Sequence, residues 1–404
     1  MSLGISYMGT KRQLASRVAD LVADCKNGIF LDLFSGMGAV GAAVAPARQV
    51  WSNDLQIFAS EVAHACFCSQ DSPLSSHDAA ELCTEPFAEN QQACLQRFYI
   101  RVRNESLALA CNDISALASD FEGALSQEHA SSGGRKRKHH YLLTKYFGGT
   151  YFGVLQAIHA DSIRAALDVR LADHTLTADQ HRWLLLALCV ALSKCSTATG
   201  HFAQPLAPKP SNIRKFVSQR RRSLWREWIV AVDELTPVGA AAWRARNRAF
   251  RGDAVSLLRN LAEGVARRRP SVIYADPPYT KDQYSRYYHL YETVILYDYP
   301  GTMGRGQYRG DREVSAFSLA KSAGAAFSTM IEQCSVMKCD LVISYPTHGL
   351  LPESQKQIPD MLQRHYRRKV ESIVIPHFHS TFGSAHGKTR SRVAEVLYRV
   401  RRNA

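Results

Sequence analysis

An apolar run halted by two consecutive prolines constrains this chain more than any other stretch. Ser271-Val272-Ile273-Tyr274-Ala275 reads as a buried strand, and Asp276-Pro277-Pro278-Tyr279 follows it at once. Proline has no N–H to give to a sheet ladder, so the strand cannot pass through residues 277 and 278 and must end at Asp276. In an open α/β sheet, ligands bind just beyond the carboxyl ends of the central strands. The chain therefore places a carboxylate and a rigid turn where such a fold does its chemistry.

That arrangement suits work on an amine. An exocyclic amine on a heteroaromatic ring is a poor nucleophile, because its lone pair is delocalised into the ring and the nitrogen is flat. It needs acceptors rather than a strong base. The Asp276 carboxylate and the Pro277 carbonyl would accept its two N–H hydrogens and favour a pyramidal nitrogen, with Tyr279 stacked on the ring. The same four residues also read as a tight corner in which Asp276 caps the next helix, and alone they do not choose.

Composition frames the partner. With 404 residues, 46% hydrophobic and 21% charged, the make-up is that of a soluble globular protein long enough for one large domain or two or three smaller ones. No apolar stretch approaches the ~20 residues that span a bilayer, and Met1-Ser2-Leu3-Gly4 opens no signal peptide, so a cytoplasmic protein without membrane contact is expected. The ten cysteines lie singly apart from Cys66/Cys68 and Cys334/Cys339, and no Cys-x-x-Cys pair meets a histidine, so neither metal nor disulfide is expected. The net charge of +14 points to a polyanion, against the alternative of a basic surface kept for solubility.

A glycine-rich turn lies near the amino terminus. Gly28-Ile29-Phe30-Leu31-Asp32-Leu33-Phe34-Ser35-Gly36-Met37-Gly38-Ala39-Val40-Gly41 reads as strand, turn and helix, and its glycines let a cofactor lie against bare backbone. A second strand, Gln49-Val50-Trp51-Ser52-Asn53, ends at Asp54, near the ~20-residue offset at which an acid meets ribose hydroxyls. Gly36-x-Gly38-x-x-Gly41 formally fits a dinucleotide, but Asp32 at the strand end would repel a pyrophosphate and would bind an ammonium. S-adenosylmethionine carries such an aminoacyl group and no phosphate. Upstream, Tyr7-Met8-Gly9-Thr10-Lys11 leads into a helical pattern through Leu14, Val18, Leu21 and Val22; a plain turn accounts for it equally well.

Over residues 69–241 helical periodicity takes over, with Phe98-Tyr99-Ile100-Arg101-Val102 as the one strand-like run. Residues 107–125 and 153–167 read as amphipathic helices and 183–192 as a buried one. This is an insertion between the two α/β parts, 1–68 and 242–404. Arg135, Lys136, Arg137 and Lys138 form a flexible basic loop ahead of Tyr141, Tyr146, Phe147, Tyr151 and Phe152, suited to gripping phosphates. A second basic segment holds Lys209, Arg214, Lys215, Arg220, Arg221, Arg222 and Arg226 before the first acid, Glu227. It reads as a helix tracking a nucleic-acid backbone, or as a solvated face whose Trp225 and Trp228 pack inward.

The α/β pattern resumes at Ala249-Phe250-Arg251-Gly252-Asp253-Ala254-Val255, where Asp253 reads most simply as a helix cap. Past the tetrapeptide, Lys281, Gln283, Tyr284, Arg286, Tyr287, Tyr288, His289 and Tyr291 pair cations with aromatic faces, which suits unstacked bases and phosphates. Residues 301–312, with Arg305, Arg309 and Arg312, are expected to form a mobile loop beside the site. Leu341-Val342-Ile343-Ser344-Tyr345, 370–376 and 394–400 complete the sheet, the last two joined through the basic Lys388-Thr389-Arg390-Ser391-Arg392.

The order of these motifs resembles the Dam-like, alpha-group N6-adenine DNA methyltransferases. The likeness rests on residues 7–11, Asp32 through Gly38, Asn53-Asp54, Gly252-Asp253 and Asp276-Pro277-Pro278-Tyr279, with Glu395-Val396-Leu397 similar to that family's carboxyl-terminal segment. It covers the segments on either side of the insertion. It implies a Rossmann-like class I methyltransferase sheet with an inserted, mainly helical target-recognition domain, using S-adenosylmethionine and no metal. The reaction implied is methylation of adenine N6 at a recognised sequence in double-stranded DNA, with the base flipped out of the duplex. Tyr7, Gly9 and Lys11 would line the methionine end of the cofactor, with Asp32, Phe34, Gly36 and Gly38 beneath it. Asp54 would hold the ribose, Asp253 the cofactor adenine, and residues 276–279 the target base. A cognate restriction nuclease or other defence protein would be a natural partner.

Rivals stay open. Related enzymes methylate RNA adenine with a similar tetrapeptide, although the large basic insertion favours DNA. Cytosine N4 is disfavoured because serine more usually begins that tetrapeptide. A catalytically silent DNA-binding regulator would keep the same fold.

Overall fold

The computed structural model describes residues 11–132, 138–264, 268–281, 283–380 and 390–402, with backbone alone at 377–380 and 390–393. Its strands are β1 (Phe30–Asp32), β2 (Val50–Asp54), β3 (Arg248–Arg251), β4 (Val272–Ala275), β5 (Thr302–Met303), β6 (Tyr308–Arg309), β7 (Asp340–Pro346), β8 (Val370–Ser380) and β9 (Arg390–Val400). Seven of them form one sheet in the order β3-β2-β1-β4-β7-β9-β8, while β5 and β6 pair as a separate hairpin. β3, β2, β1, β4 and β7 run parallel; β9 is antiparallel to both β7 and β8. This is the Rossmann-like methyltransferase sheet expected from the motif order. The chain steps outward from β1 in one direction and from β4 in the other, so the carboxyl ends of these two neighbours flank the point where strand order reverses.

Strand alternation sends successive side chains to opposite faces. Phe30, Val272 and Tyr274 join one hydrophobic cluster, whereas Leu31, Ile273 and Ala275 join another on the other face. The second cluster is closed by the helices Ala254–Ala262, Ala323–Val336 and Ser354–Tyr366. The first is continuous with the interior of the inserted region: Leu142, Tyr146, Ile163, Leu184, Leu188 and Trp228 belong to the same cluster as Phe30 and Tyr274. Residues 183–192, read as buried, form the middle of the helix Ala178–Cys195, and all ten are buried.

Two local expectations are corrected. Phe98–Val102 is no strand: Phe98 caps the helix Tyr99–Cys111. Its β-prone residues Tyr99 and Ile100 are 60% and 63% exposed, while Phe98, Val102, Glu105 and Ala108 turn inward at helical spacing, so packing overrides propensity. Residues 107–125 are not one helix either. Asn112 adopts a left-handed conformation (φ 53°), and Asp113 starts a new helix, Ile114–Leu125, by accepting the Ala116 N–H.

Among the described residues no helix is long and apolar enough to cross a membrane, and no group of three His, Cys, Asp or Glu side chains could hold a metal.

Candidate active site

The end of β1 builds the floor of a cleft. Leu33 N–H donates to the Tyr274 carbonyl of β4 at 2.9 Å, and Ser35 N–H to the Asn53 carbonyl of β2 at 2.8 Å, so the chain is held to both neighbours until it turns. The turn needs its glycines: Gly36 and Gly38 have φ of 47° and 71°. A Cβ on Gly38 would come within 2.9 Å of the buried Phe67 ring. Gly38→Ala should therefore lower stability by about 1–3 kcal/mol, read as a fall in the denaturant midpoint.

Asp32, Asp54 and Asp253 are among the acids that face this cleft. Asp32 is 1% exposed, and its Oδ1 has no hydrogen-bond partner among the described residues. Burial, reinforced by the nearby Asp276 and Asp54 charges, pushes its pKa up to about 8. Asp54 accepts the Gly36 N–H at Oδ2 and the Gln56 N–H at Oδ1, both at 2.9 Å, so it fastens the glycine turn to the end of β2. Burial still raises it to about 6, against the pull of those N–H groups. Asp253 caps the helix Ala254–Ala262, its Oδ1 accepting from Ser256 N–H at 2.9 Å and Ser256 Oγ at 3.0 Å, as the simplest reading had it; it also borders the cleft.

The tetrapeptide closes the other side, with Asp276, Pro277, Pro278 and Tyr279 all lining the cleft. Lys11 enters from the amino-terminal segment. It lines the cleft and sits against the tetrapeptide: Nζ is 3.0 Å from Asp276 Oδ1, 3.1 Å from Glu395 Oε1 and 5.2 Å from the Tyr279 ring centre. Burial works against its charge, but the two carboxylates prevail and hold its pKa above the ordinary value. Asp276 moves upward from the usual carboxylate range because it is withdrawn from water, with Lys11 opposing. Phe34 borders the cleft and packs edge-on against Phe317, ring centres 5.2 Å apart.

Sequence reading missed two carboxylates here. Glu395 figured only as part of a similar segment, yet it is 1% exposed and accepts from Ser344 Oγ at 2.5 Å as well as from Lys11. An acid in the otherwise apolar run Val396-Leu397-Tyr398 was the available signal. Glu292, on the helix His289–Leu296, borders the cleft and accepts the Ile57 N–H at 3.0 Å; burial raises its pKa to about 7. Nothing in its spacing singled it out.

The expected polyanion contacts are scattered. Tyr7, Gly9, Arg135, Lys136, Arg137 and Lys388 lie outside the described residues, and Arg390 is described by backbone only. Lys138, Arg214, Lys215, Arg221, Arg222, Lys281, Arg286 and Arg305 are exposed, although Arg222 pairs with Glu227 and Arg305 with Glu122. Gln283 and Tyr284 border the cleft, and Tyr287 stands edge-on to His201. Two residues are corrected. Arg220 is 5% exposed and spends its guanidinium on Glu105 and on the carbonyls of Gly149, Thr150 and Phe152, so it cannot reach a phosphate. Arg309 is 3% exposed and is held by Asp298 at 2.7 Å and Asp311 at 2.9 Å. These pairs pin the β5–β6 hairpin, so residues 301–312 form an anchored turn rather than the expected mobile loop.

With this geometry in place, comparison with known proteins becomes decisive. The description "D12 class N6 adenine-specific DNA methyltransferase" matches residues 7–132 and 252–322, which carry the glycine turn and the tetrapeptide. The chain resembles this D12 class over those two segments. Among known proteins, it is 23% identical to Type II methyltransferase M.FokI of Planomicrobium okeanokoites, over 98% of this chain and 52% of that protein. Modification methylase LlaI of Lactococcus lactis subsp. lactis is 21% identical over 86% of this chain and 47% of its own length. Type II methyltransferase M.NlaIII of Neisseria lactamica is 20% identical, over 90% of this chain and 92% of its own. The chain thus spans about half the length of the first two relatives. In D12 terms, the matched segments are the two sides of the cleft, and the match ends short of β7 and β9, which supply Ser344 and Glu395.

Proposed function

We propose that this chain transfers a methyl group from S-adenosylmethionine to the N6 amine of an adenine flipped out of double-stranded DNA at a recognised sequence. The observation that carries the reading is the pairing of an acceptor with a cradle: Asp276 at the end of β4 faces the same cleft as the glycine turn at the end of β1. The cleft fits the cofactor by its own chemistry, because Asp32 Oδ1 is a buried carboxylate oxygen lacking a donor, which a ligand ammonium would supply. When bound, S-adenosylmethionine supplies an electrophilic sulfonium methyl.

The residues do the rest by positioning. Asp276 and the Pro277 carbonyl accept the N–H hydrogens of the amine and turn its lone pair toward the methyl, and Tyr279 stacks on the base. Asp54 brings a carboxylate to the cleft for the ribose hydroxyls, held in place by the Gly36 and Gln56 N–H groups. Asp253 has its Oδ2 left for the cofactor adenine. The names of the relatives support a place beside a restriction nuclease.

Asp32 gives a pH signature. Its folded pKa of about 8 stands above the ordinary 3.8, so the unfolded chain loses its proton first, and stability at this group falls as pH rises from about 4 to about 8. A ligand ammonium needs the ionised form. Cofactor affinity by calorimetry should therefore climb up to about pH 8 and decline above it as an α-amino group of pKa about 7.7–8.0 deprotonates. Asp32→Asn should remove the rising limb; an unchanged limb assigns it to another group.

The decisive test is single-molecule sequencing of DNA from a methylation-free host expressing the protein, with Asp276→Ala as control. Modified adenine in one recurring motif, absent from the control, establishes the function. Unmodified DNA from a host holding folded, cofactor-binding protein rejects it in favour of RNA or of silent DNA binding.

A further inference from the structure

Glu395 has no part in the reaction just described, yet it is buried beside the reacting groups. Lys11 Nζ stands almost equidistant between Asp276 Oδ1 at 3.0 Å and Glu395 Oε1 at 3.1 Å. Glu395 projects from β9 opposite Pro346 of β7, and the Ser344 hydroxyl, also on β7, donates to the oxygen that meets Lys11. Two carboxylates and one ammonium are thus withdrawn together from water. Burying a further charge is unfavourable unless its partners are well placed, and a Lys11–Asp276 pair alone would already be neutral.

The chemistry explains the surplus charge. An amine that is to donate to Asp276 competes with the ammonium already there. Were Asp276 the sole partner of Lys11, each base entering would have to break a buried ion pair and strand a charge. A second carboxylate at nearly the same distance removes that obstacle.

We propose that Glu395 is a positioning residue: it seats the Lys11 ammonium when the target amine takes up Asp276, so that Asp276 keeps its negative charge for the reacting nitrogen. Lys11 keeps its proton throughout, and no bond is made or broken at Glu395. The Ser344 hydrogen bond fixes the carboxylate in place. The inference rests on the adenine-methylation reading above.

The test uses Glu395→Gln, Lys11→Met and the double variant in the full chain, with single-turnover methyl transfer followed against pH. Glu395→Gln should slow transfer by about 10- to 100-fold, the scale of a missing charge-assisted hydrogen bond. Its acid limb should move to lower pH, because the Glu395 charge helps hold the Asp276 carboxyl up; the other groups facing Asp276, namely Lys11, Asp32, Tyr274, Tyr279 and Tyr284, are untouched in that variant. The double variant should be no slower than Lys11→Met alone, since Glu395 acts through Lys11. A wild-type rate, an unmoved limb or multiplied losses would overturn the proposal. So would a lowered unfolding midpoint that alone accounts for the slower transfer.

Side-chain NMR of the Lys11 ammonium separates this proposal from the function it rests on. Its protons should be protected from exchange in the wild type and lose that protection in Glu395→Gln, whether or not the protein methylates DNA. Equal protection in both proteins sinks the proposal. Absence of methyl transfer by the wild type sinks the reading of function instead.

Discussion

Asp276→Ala is expected to abolish methyl transfer while leaving cofactor and DNA binding close to wild type. In the proposed reaction positioning dominates the attack of a flat ring amine, and Asp276 would supply one of its two acceptors. Removing one preorganised polar group from a reacting centre lowers rates by about 100- to 1,000-fold. The fold should survive, because Lys11 retains Glu395 as a partner and the strand before Asp276 is held by its own apolar side chains. Asp276→Asn keeps a carbonyl acceptor without the charge, and its rate should fall between the two. Tritiated methyl transfer and filter binding on the same preparations check the prediction; a loss of DNA binding as great as the loss of transfer would count against it.

Arg220→Glu should unfold the inserted helices, where reversal of its neighbours should not. Arg220 Nη1 lies 2.7 Å from Glu105 Oε1, with both side chains almost fully buried, and the guanidinium also ties down the carbonyls of the 149–152 turn. Breaking a buried ion pair by removing one partner costs about 3–5 kcal/mol, and placing a second carboxylate there adds repulsion. The expected result is a large drop in the denaturant midpoint or insoluble protein. Arg221→Glu with Arg222→Glu, both on exposed positions, should change stability by about 0.5 kcal/mol or less. Those two should flatten the salt dependence of DNA binding by about one unit of slope for each phosphate they had neutralised. An unchanged slope would make them ordinary surface charges.

These three consecutive arginines show where a sequence is legible and where it is not. Charge counting treats them alike. Helix geometry separates them: Phe216, Val217 and Arg220 share the inward face of the helix Ile213–Arg220, and Arg221 and Arg222 follow after it ends. The apolar residues one turn back were visible, but the acid that neutralises Arg220 stands 115 positions away, on another helix. A still greater distance in sequence hid the contact between Glu395 and Lys11. By contrast, the parallel strands, the glycine turn and the proline-terminated strand were readable because each is fixed by local chemistry: a short continuous apolar run, positive φ, or a missing N–H. The strand-like Phe98–Val102 misled because aromatic and β-branched residues say only that a surface is apolar, not which backbone presents it.

The shared interior of the sheet and the inserted helices bears on engineering. Phe30, Val272 and Tyr274 share one apolar cluster with side chains of the insertion, whose helix Ala178–Cys195 packs on the helices Ile57–Cys68 and His289–Leu296, so residues 69–241 are not a cartridge that can be lifted onto another frame. A graft of these helices onto another frame would have to carry the matching apolar face with it, and core mutations in the helices will be felt in the sheet.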